Sequence, residues 1–415
     1  MCSFRVHLFG GARPPALPTV LGERPPRAAP TLAVLRRRNL HVKIVRHSAR
    51  ARVAAVGLAT SGALLLAGCG AANESGAPAE AGGEAAASAS ASIAGAGATS
   101  QQAAMEAWVA GFSSVAPDAT VSYDAAGSGA GRTQFVDGAV QFAGSDSALN
   151  DEQLPLAQTL CGGADNVIQL PLYVSPIAVI FNLPGVPTLQ LSASNIAKLF
   201  NGSITNWNDP AIAAENPGVT LPDLAVTPVN RADDSGTTEN FTEYLSAAAP
   251  ADWTSEPDGV WPLSGGASAQ GTSGVVGLVG SGAGSIGYAD ESQAGELGKV
   301  SVQVGSEYVA PTAEAAAAVV AASPRVEGGG AANFAVELAR DTTAAGTYPV
   351  VLVSYTIACT QYADAAVADT VKAFLSYIAS DEGQQAANAN AGNAPITDEQ
   401  RSQFLPVVES IGAAG

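Results

Sequence analysis

Histidine is missing from everything after residue 47: the 415-residue chain has three, His7, His41 and His47. Their absence downstream removes the commonest general base and the commonest metal ligand. No acidic cluster at metal-ligand spacing takes their place. Basic residues are scarce as well. Residues 1–68 hold 11 of the 19 Lys and Arg beside one acid, Glu23, so the remainder sets 8 basic against 36 acidic residues, a formal charge of −28. So acidic a surface argues against nucleic acid or an anionic membrane as a partner. It also makes Arg132 and Arg231 conspicuous among the few remaining cations.

The apolar run Val53–Ala67 is of signal-peptide length and too short to favour a spanning helix. Lys43, Arg46, Arg50 and Arg52 precede it, and it ends in Leu66-Ala67-Gly68-Cys69, which resembles the lipobox of bacterial lipoproteins. Residues 1–68 therefore read as a signal region, with cleavage expected before Cys69 and a lipid on its thiol; a lone buried cysteine is the plainer alternative. Residues 1–41, with paired prolines and scattered arginines, fit no part of a secretion signal and read as a gene-model artefact, with a start at Val42. After Cys69, the stretch Ala71–Ser92 is almost entirely Ala, Gly, Ser and Glu and cannot bury enough apolar surface to order itself. Residues 69–92 thus read as a lipidated cysteine and a tether reaching roughly 25 Å. The remaining ~320 residues suit two lobes better than one core.

Cysteine is sparse too. Beyond the amino-terminal region only Cys161 and Cys359 remain. In an exported chain they are candidates for a disulfide, with two buried free thiols as the alternative. Cys359 ends the apolar run Val350–Ile357 and Cys161 precedes another, Ile168–Phe181, so neighbouring strands of one sheet are expected to bring them together.

What is present is an alternation of short apolar strands and helical patterns, the mark of an α/β architecture. A strand is expected from Ile93, a turn over Gly95–Ser100, and a helix carrying Met105, Trp108, Val109 and Phe112 at i, i+3, i+4, i+7. Val121–Tyr123 and Val140–Ala143 read as strands, and Val167–Asn182 and Val350–Cys359 as long β-rich crossings between lobes. The carboxyl-terminal part reads as helices: Ala363–Ser380, Glu382–Asn388 and a last one from Thr397.

The richest segment is Arg231-Ala-Asp-Asp-Ser235-Gly236-Thr237-Thr238, set before an apolar-periodic stretch (Phe241, Tyr244, Leu245). A Ser or Thr there signals a helix start, whose unpaired N–H groups and positive dipole end make an anion site. Arg231 adds a planar fork of donors suited to an oxyanion. Alone, the segment equally describes an ordinary capped helix beside a surface Arg–Asp pair. Three further turns share its design: Thr99-Ser100, Gly127-Ser128-Gly129 and Ser145-Asp146. Each follows a strand, and open α/β sheets bind ligands at the carboxyl ends of their strands.

Taken in order, these segments resemble the phosphate-binding proteins of bacterial high-affinity phosphate ABC transporters. The resemblance rests on Gly95-Ala-Gly-Ala-Thr99, Gly127-Ser-Gly129, Phe142-Ala-Gly-Ser-Asp146 and Arg231-Ala-Asp-Asp-Ser-Gly-Thr237. Also matching, with no direct binding role, are Leu199–Pro210, Ser285-Ile-Gly-Tyr288 and Asn182-Leu-Pro-Gly185. It covers roughly 93–415 and implies a two-lobed binding-protein fold of the second type, each lobe a mixed sheet flanked by helices, with two hinge crossings. Lobe I would comprise 93–178 and 346–415, lobe II 179–345. It implies a ligand set in which Thr99 and Ser128 give hydroxyl and N–H, Ser100 a backbone N–H, Arg231 its guanidinium, Ser235 and Thr237 hydroxyls, and Gly236 an N–H. Asp146 would accept a hydrogen bond from a protonated phosphate oxygen, and Asp233 would orient Arg231. The chain departs from the family where an aromatic residue and proline usually stand, here Ser100-Gln101, and the stretch 310–346 carries none of the motifs.

The function expected is extracytoplasmic binding of inorganic phosphate and delivery to the permease subunits of an ABC transporter. The protein would be a lipid-anchored monomer on the outer face of the cell membrane, without cofactor or metal. A binding protein for another tetrahedral oxyanion such as sulfate is the alternative, and Asp146 argues against it on charge. A phosphate-ester enzyme would need a nucleophile with a base or metal, for which the chain has no histidine beyond its signal region.

Overall fold

Two strands organise the molecule, and both are buried along their whole length and largely apolar because both faces are covered. The computed structural model describes residues 89–415 apart from 329; the expected signal region, Cys69 and most of the tether lie outside the described residues. In chain order the strands are β1 (Ser92–Gly97), β2 (Thr120–Asp124), β3 (Phe142–Ser145), β4 (Val167–Phe181), β5 (Thr188–Leu191), β6 (Thr227–Arg231), β7 (Ala267–Ala269), β8 (Ser285–Asp290), β9 (Gly298–Val304), β10 (Glu307–Val309) and β11 (Val351–Cys359). The sheet runs β2-β1-β3-β11-β4-β8-β6-β7. The first part of β4, Val167–Pro176, pairs antiparallel with β11, and the last part, Ile177–Phe181, pairs antiparallel with β8. One strand thus belongs to both halves of the sheet, as the hinge crossing of a two-lobed fold requires. All fifteen residues of β4 and all nine of β11 are buried.

In the first lobe β1, β2 and β3 run parallel to one another, with β11 returning antiparallel. The helix expected at Met105 spans Gln102–Val115 and buries Met105, Trp108 and Phe112. Phe112 meets Phe374 of the helix Ala365–Ala379 edge to face, and the Trp108 indole donates to the Gly383 carbonyl at 2.8 Å. In the second lobe β6 lies parallel to β8 and β7, while β9 joins β4, β5 and β10. Phe241, Tyr288, Phe200 and Trp261 pack there as one aromatic group.

Several boundaries move. β1 continues through Gly97, three residues into the expected turn, and β3 starts two residues later than expected, at Phe142. The last helix begins at Asp398 with Thr397 as its cap, in a reciprocal capping box with Gln400. Cys161 and Cys359 are joined by a disulfide, with Cα atoms 5.2 Å apart. As expected, neighbouring strands bring them together: Cys359 ends β11 opposite Val167 of β4, and Cys161 is the last residue of the helix Gln153–Cys161 that precedes β4. The stretch 310–346 forms the helix Ala313–Ala322 and then an irregular run beside the first part of β4, where Gln169 exchanges backbone hydrogen bonds with Ala332 and Phe334. No helix among the described residues is long and apolar enough to cross a membrane.

Candidate functional site

Each of the four turns singled out in the sequence lies at the carboxyl end of a strand, and the sheet order brings them to one buried place. Thr99-Ser100 follows β1, Gly127-Ser128 follows β2, Ser145-Asp146 ends β3, and Arg231–Thr237 follows β6. Gly127 needs φ +106° to turn from the loop into the helix Ser128–Val136, a conformation open chiefly to glycine. Ser235 caps the helix Gly236–Ala248, its hydroxyl accepting from the Thr238 N–H at 3.2 Å. That leaves the first N–H groups of this helix, including Gly236, pointing outward without helical partners.

Asp146 is the meeting point. Its carboxylate accepts from the Ser100 hydroxyl at 2.7 and 2.8 Å and from the Thr237 hydroxyl at 2.9 Å, so one donor comes from each lobe. The Asp146 N–H donates to Ser128 Oγ at 3.1 Å. Gly236 sits so close that a Cβ there would lie 2.7 Å from both the Asp146 Cβ and Ser128 Oγ. Only a glycine lets the two lobes approach at this point. Burial drives the Asp146 carboxyl above its ordinary range, and the hydroxyls of Ser100, Thr237 and Ser354 with the charge of Arg231 reverse only part of that.

Arg231 is buried and held by Asp233, whose Oδ1 takes the Nε–H at 2.9 Å while Oδ2 pairs with a terminal nitrogen. Burial works to raise the Asp233 carboxyl, but its hydrogen bond and charge contact with Arg231 outweigh that, and it is lowered. Asp233 also accepts from the Gly271 N–H at 3.0 Å. Arg132, the other conspicuous cation, donates to Gln153, Ser145 and Ser147 and lies 3.7 and 3.8 Å from Asp234 and Glu239. It belongs to a polar tie between the lobes beside the site.

Sequence reasoning missed several partners. Thr272, which opens the helix Gly271–Ser281, gives its N–H to Thr99 Oγ1 at 3.1 Å and shares a hydroxyl contact of 2.9 Å with it. Gly271-Thr272-Ser273 ahead of Val275 and Val279 is the same small-residue helix start as the others, so the signal was there. Gln293 donates to the carbonyls of Thr99 and Ser100 at 2.8 and 2.9 Å, and nothing in its local sequence announces this. Tyr288 does have a supporting place: its hydroxyl accepts from the Arg231 N–H at 3.3 Å and meets Thr238 Oγ1 at 2.7 Å. Asn240 donates to the carbonyls of Asp146 and Gly236, both at 2.7 Å, and is itself held by the buried Arg340. The Ser100 hydroxyl, in place of the family's aromatic side chain, is a donor to Asp146 that the backbone-only role left out.

Chemically, the place offers hydroxyl and amide donors, one guanidinium and one carboxylate, all screened from water. Such a set is suited to a tetrahedral oxyanion held by hydrogen bonds. Residues 82–382 match the model of the PBP superfamily domain. The phosphate-binding protein PstS 3 of Mycobacterium leprae is 34% identical over 372 residues, which cover 86% of this chain and 98% of that protein. The chain belongs to the PstS family of phosphate-binding proteins. PstS 2 of Mycobacterium tuberculosis is 33% identical over 366 residues, covering 86% and 98% of the two chains. Among solved structures, the phosphate-bound periplasmic protein PfluDING aligns with a TM-score of 0.60 at 23% identity, over 77% of this chain and 99% of its own. The phosphate-binding protein of Stenotrophomonas maltophilia aligns with a TM-score of 0.58 at 22% identity, over 76% and 93%. These two likenesses bear on the fold, and it is the two-lobed PstS fold.

Proposed function

We propose that this chain binds inorganic phosphate outside the cytoplasm and hands it to the permease of an ABC transporter. The observation that carries the reading is the convergence on Asp146 of hydroxyls from two lobes, in a PstS-family chain with the Arg231 guanidinium close enough to act on the same carboxylate. In this reading Thr99, Ser100, Ser128, Arg231, Ser235, Gly236 and Thr237 donate to the anion, and Asp233 fixes the orientation of Arg231. Asp146 takes the opposite role. Two hydroxyl protons occupy a carboxylate that has about four acceptor positions, which leaves room for one from the ligand. Near neutral pH phosphate retains a proton to offer, whereas sulfate has none and would set an unprotonated oxygen against a like charge. The protein works by binding and release, with lobe closure around the ion as the conformational step.

The amino-terminal signals support export and attachment of the chain to the outer face of the membrane through a lipid on Cys69, with the tether 69–92 between anchor and lobes. The lobes comprise 93–178 with 346–415, and 179–345, and the protein acts as a monomer. The function is tested by calorimetric titration of ligand-free protein with phosphate and, separately, sulfate. Tight phosphate binding with sulfate far weaker is expected; no heat with phosphate would refute the reading.

A further inference from the structure

Ser354 lies in β11, between β3 and the first part of β4, and is 1% exposed; its hydroxyl has no partner at hydrogen-bonding geometry, although it lies close enough to Asp146 to act on its carboxylate. A buried hydroxyl without a partner destabilises a fold, so its presence asks for a reason. Its position supplies one. β3 and β11 pair antiparallel with Tyr355 opposite Ser145, and one step further along both chains sets Ser354 opposite Asp146. Residues opposite each other in an antiparallel pair project from the same face. Ser354 is also near enough to Asp146 to favour its ionised form.

The strand is irregular at this residue. Ser354 is opposite Tyr173 of β4 while Tyr355 is opposite Pro171, so Leu172 is an extra residue and the register shifts. The Leu172 carbonyl accepts from the Gln384 side-chain amide at 3.1 Å. Bulges of this kind re-aim side chains and gather beside functional sites. Here the shift coincides with the unpartnered hydroxyl.

We propose that Ser354 is a further ligand-binding residue, its hydroxyl donating to the oxygen of the bound anion that lies beside Asp146. The inference rests on the phosphate-binding reading. It adds a donor from the middle of a strand that pairs with the crossing strand β4, whereas the other donors come from turns at strand ends. An anion held by Ser354 is tied to the residue opposite Tyr173 of the crossing strand β4, which links occupancy of the site to the hinge.

Ser354→Ala separates this role from a structural one, because the two predict opposite changes. Loss of an unpartnered hydroxyl should leave the melting temperature of the ligand-free protein unchanged or raise it. Loss of a hydrogen bond to a charged ligand should weaken phosphate binding about 10-fold or more. Calorimetry with inorganic phosphate and melting of the ligand-free protein, on wild type and variant, give both readouts. Equal dissociation constants would overturn the assignment while leaving the phosphate-binding reading intact. A lowered melting temperature of the ligand-free variant would show that the hydroxyl serves the fold, and would overturn it too. Wild type that ignores phosphate would remove both the function and this inference.

Discussion

Replacing Asp290 with asparagine changes how stability depends on pH, and the structure fixes sign and size. Asp290 ends β8 opposite Ile177, at the point where β4 passes from one lobe to the other. It is fully buried; Oδ2 accepts from the Tyr173 hydroxyl at 3.0 Å and Oδ1 from the Ser292 N–H and hydroxyl at 3.0 and 2.5 Å. Burial pushes its carboxyl up to about 7, against hydrogen bonds from Ser292, Ser175 and Tyr173 that act the other way. A carboxyl raised in the folded state stays protonated there while the unfolded chain has already lost its proton. Its contribution is therefore fully present below pH ~4 and is lost as pH rises to about 7, by ~1.4 kcal/mol per unit and ~4 kcal/mol in all. Asparagine keeps an acceptor for Ser292 and has no charge to bury. The variant should match wild type near pH 4 and exceed it by several kcal/mol at pH 8, read as the difference in urea midpoints between the two proteins at each pH. A difference that does not change between pH 4 and 8 would refute the reasoning.

Three further outcomes follow from geometry. Gly236→Ala places a Cβ 2.7 Å from the Asp146 Cβ and 3.1 Å from its Cα, so the lobes cannot close fully; phosphate affinity should fall by at least an order of magnitude with little change in the stability of the open form, measured by calorimetry and melting. Reducing the Cys161–Cys359 bridge, which spans 198 residues, should destabilise the protein by up to ~5 kcal/mol on the chain-entropy model, seen as a lower melting temperature under reductant. Cys69→Ala should move the mature protein out of the detergent phase without altering its phosphate affinity, and an intact mass showing unmodified Cys69 in wild type would contradict the anchor.

Much of this arrangement was legible because its signals are local. Apolar runs bounded by Gly and Ser turns gave β1, β2, β4 and β11, and helix-start chemistry gave Ser128 and Ser235–Thr237. The four site turns could be found one by one, since each is a strand followed by small donors. What could not be read is pairing at long range. That Gln293 reaches the Thr99 and Ser100 carbonyls depends on how the lobes face one another, about which a glutamine in a loop says nothing. The apolar runs announced the pairing of β4 with β11 that joins Cys161 to Cys359, but not that Cys161 itself ends the helix Gln153–Cys161. The segment 310–346 hid Arg340 for the same reason. Its buried side chain spans from the Val351 carbonyl of β11 to Asn240 and Glu243, tying β11 to the helix that follows Arg231. Ala/Gly-rich sequence offers no periodic face from which such a contact can be inferred.

The central claim is that Asp146 selects a protonated anion, and Asp146→Asn tests it most directly through the ratio of sulfate to phosphate affinity. A site that demands a donor from its ligand can reject an analogue lacking one by ~10⁴–10⁵-fold. Asparagine can turn an N–H₂ toward the ion, so phosphate is expected to stay bound while the rejection of sulfate shrinks by orders of magnitude. Arg231→Ala, by contrast, should weaken both anions together. Measured by calorimetry at pH 7 on ligand-free protein, the account predicts a wild-type preference for phosphate that collapses in Asp146→Asn. Equal binding of the two anions by wild type, or a ratio unmoved by the substitution, would contradict it.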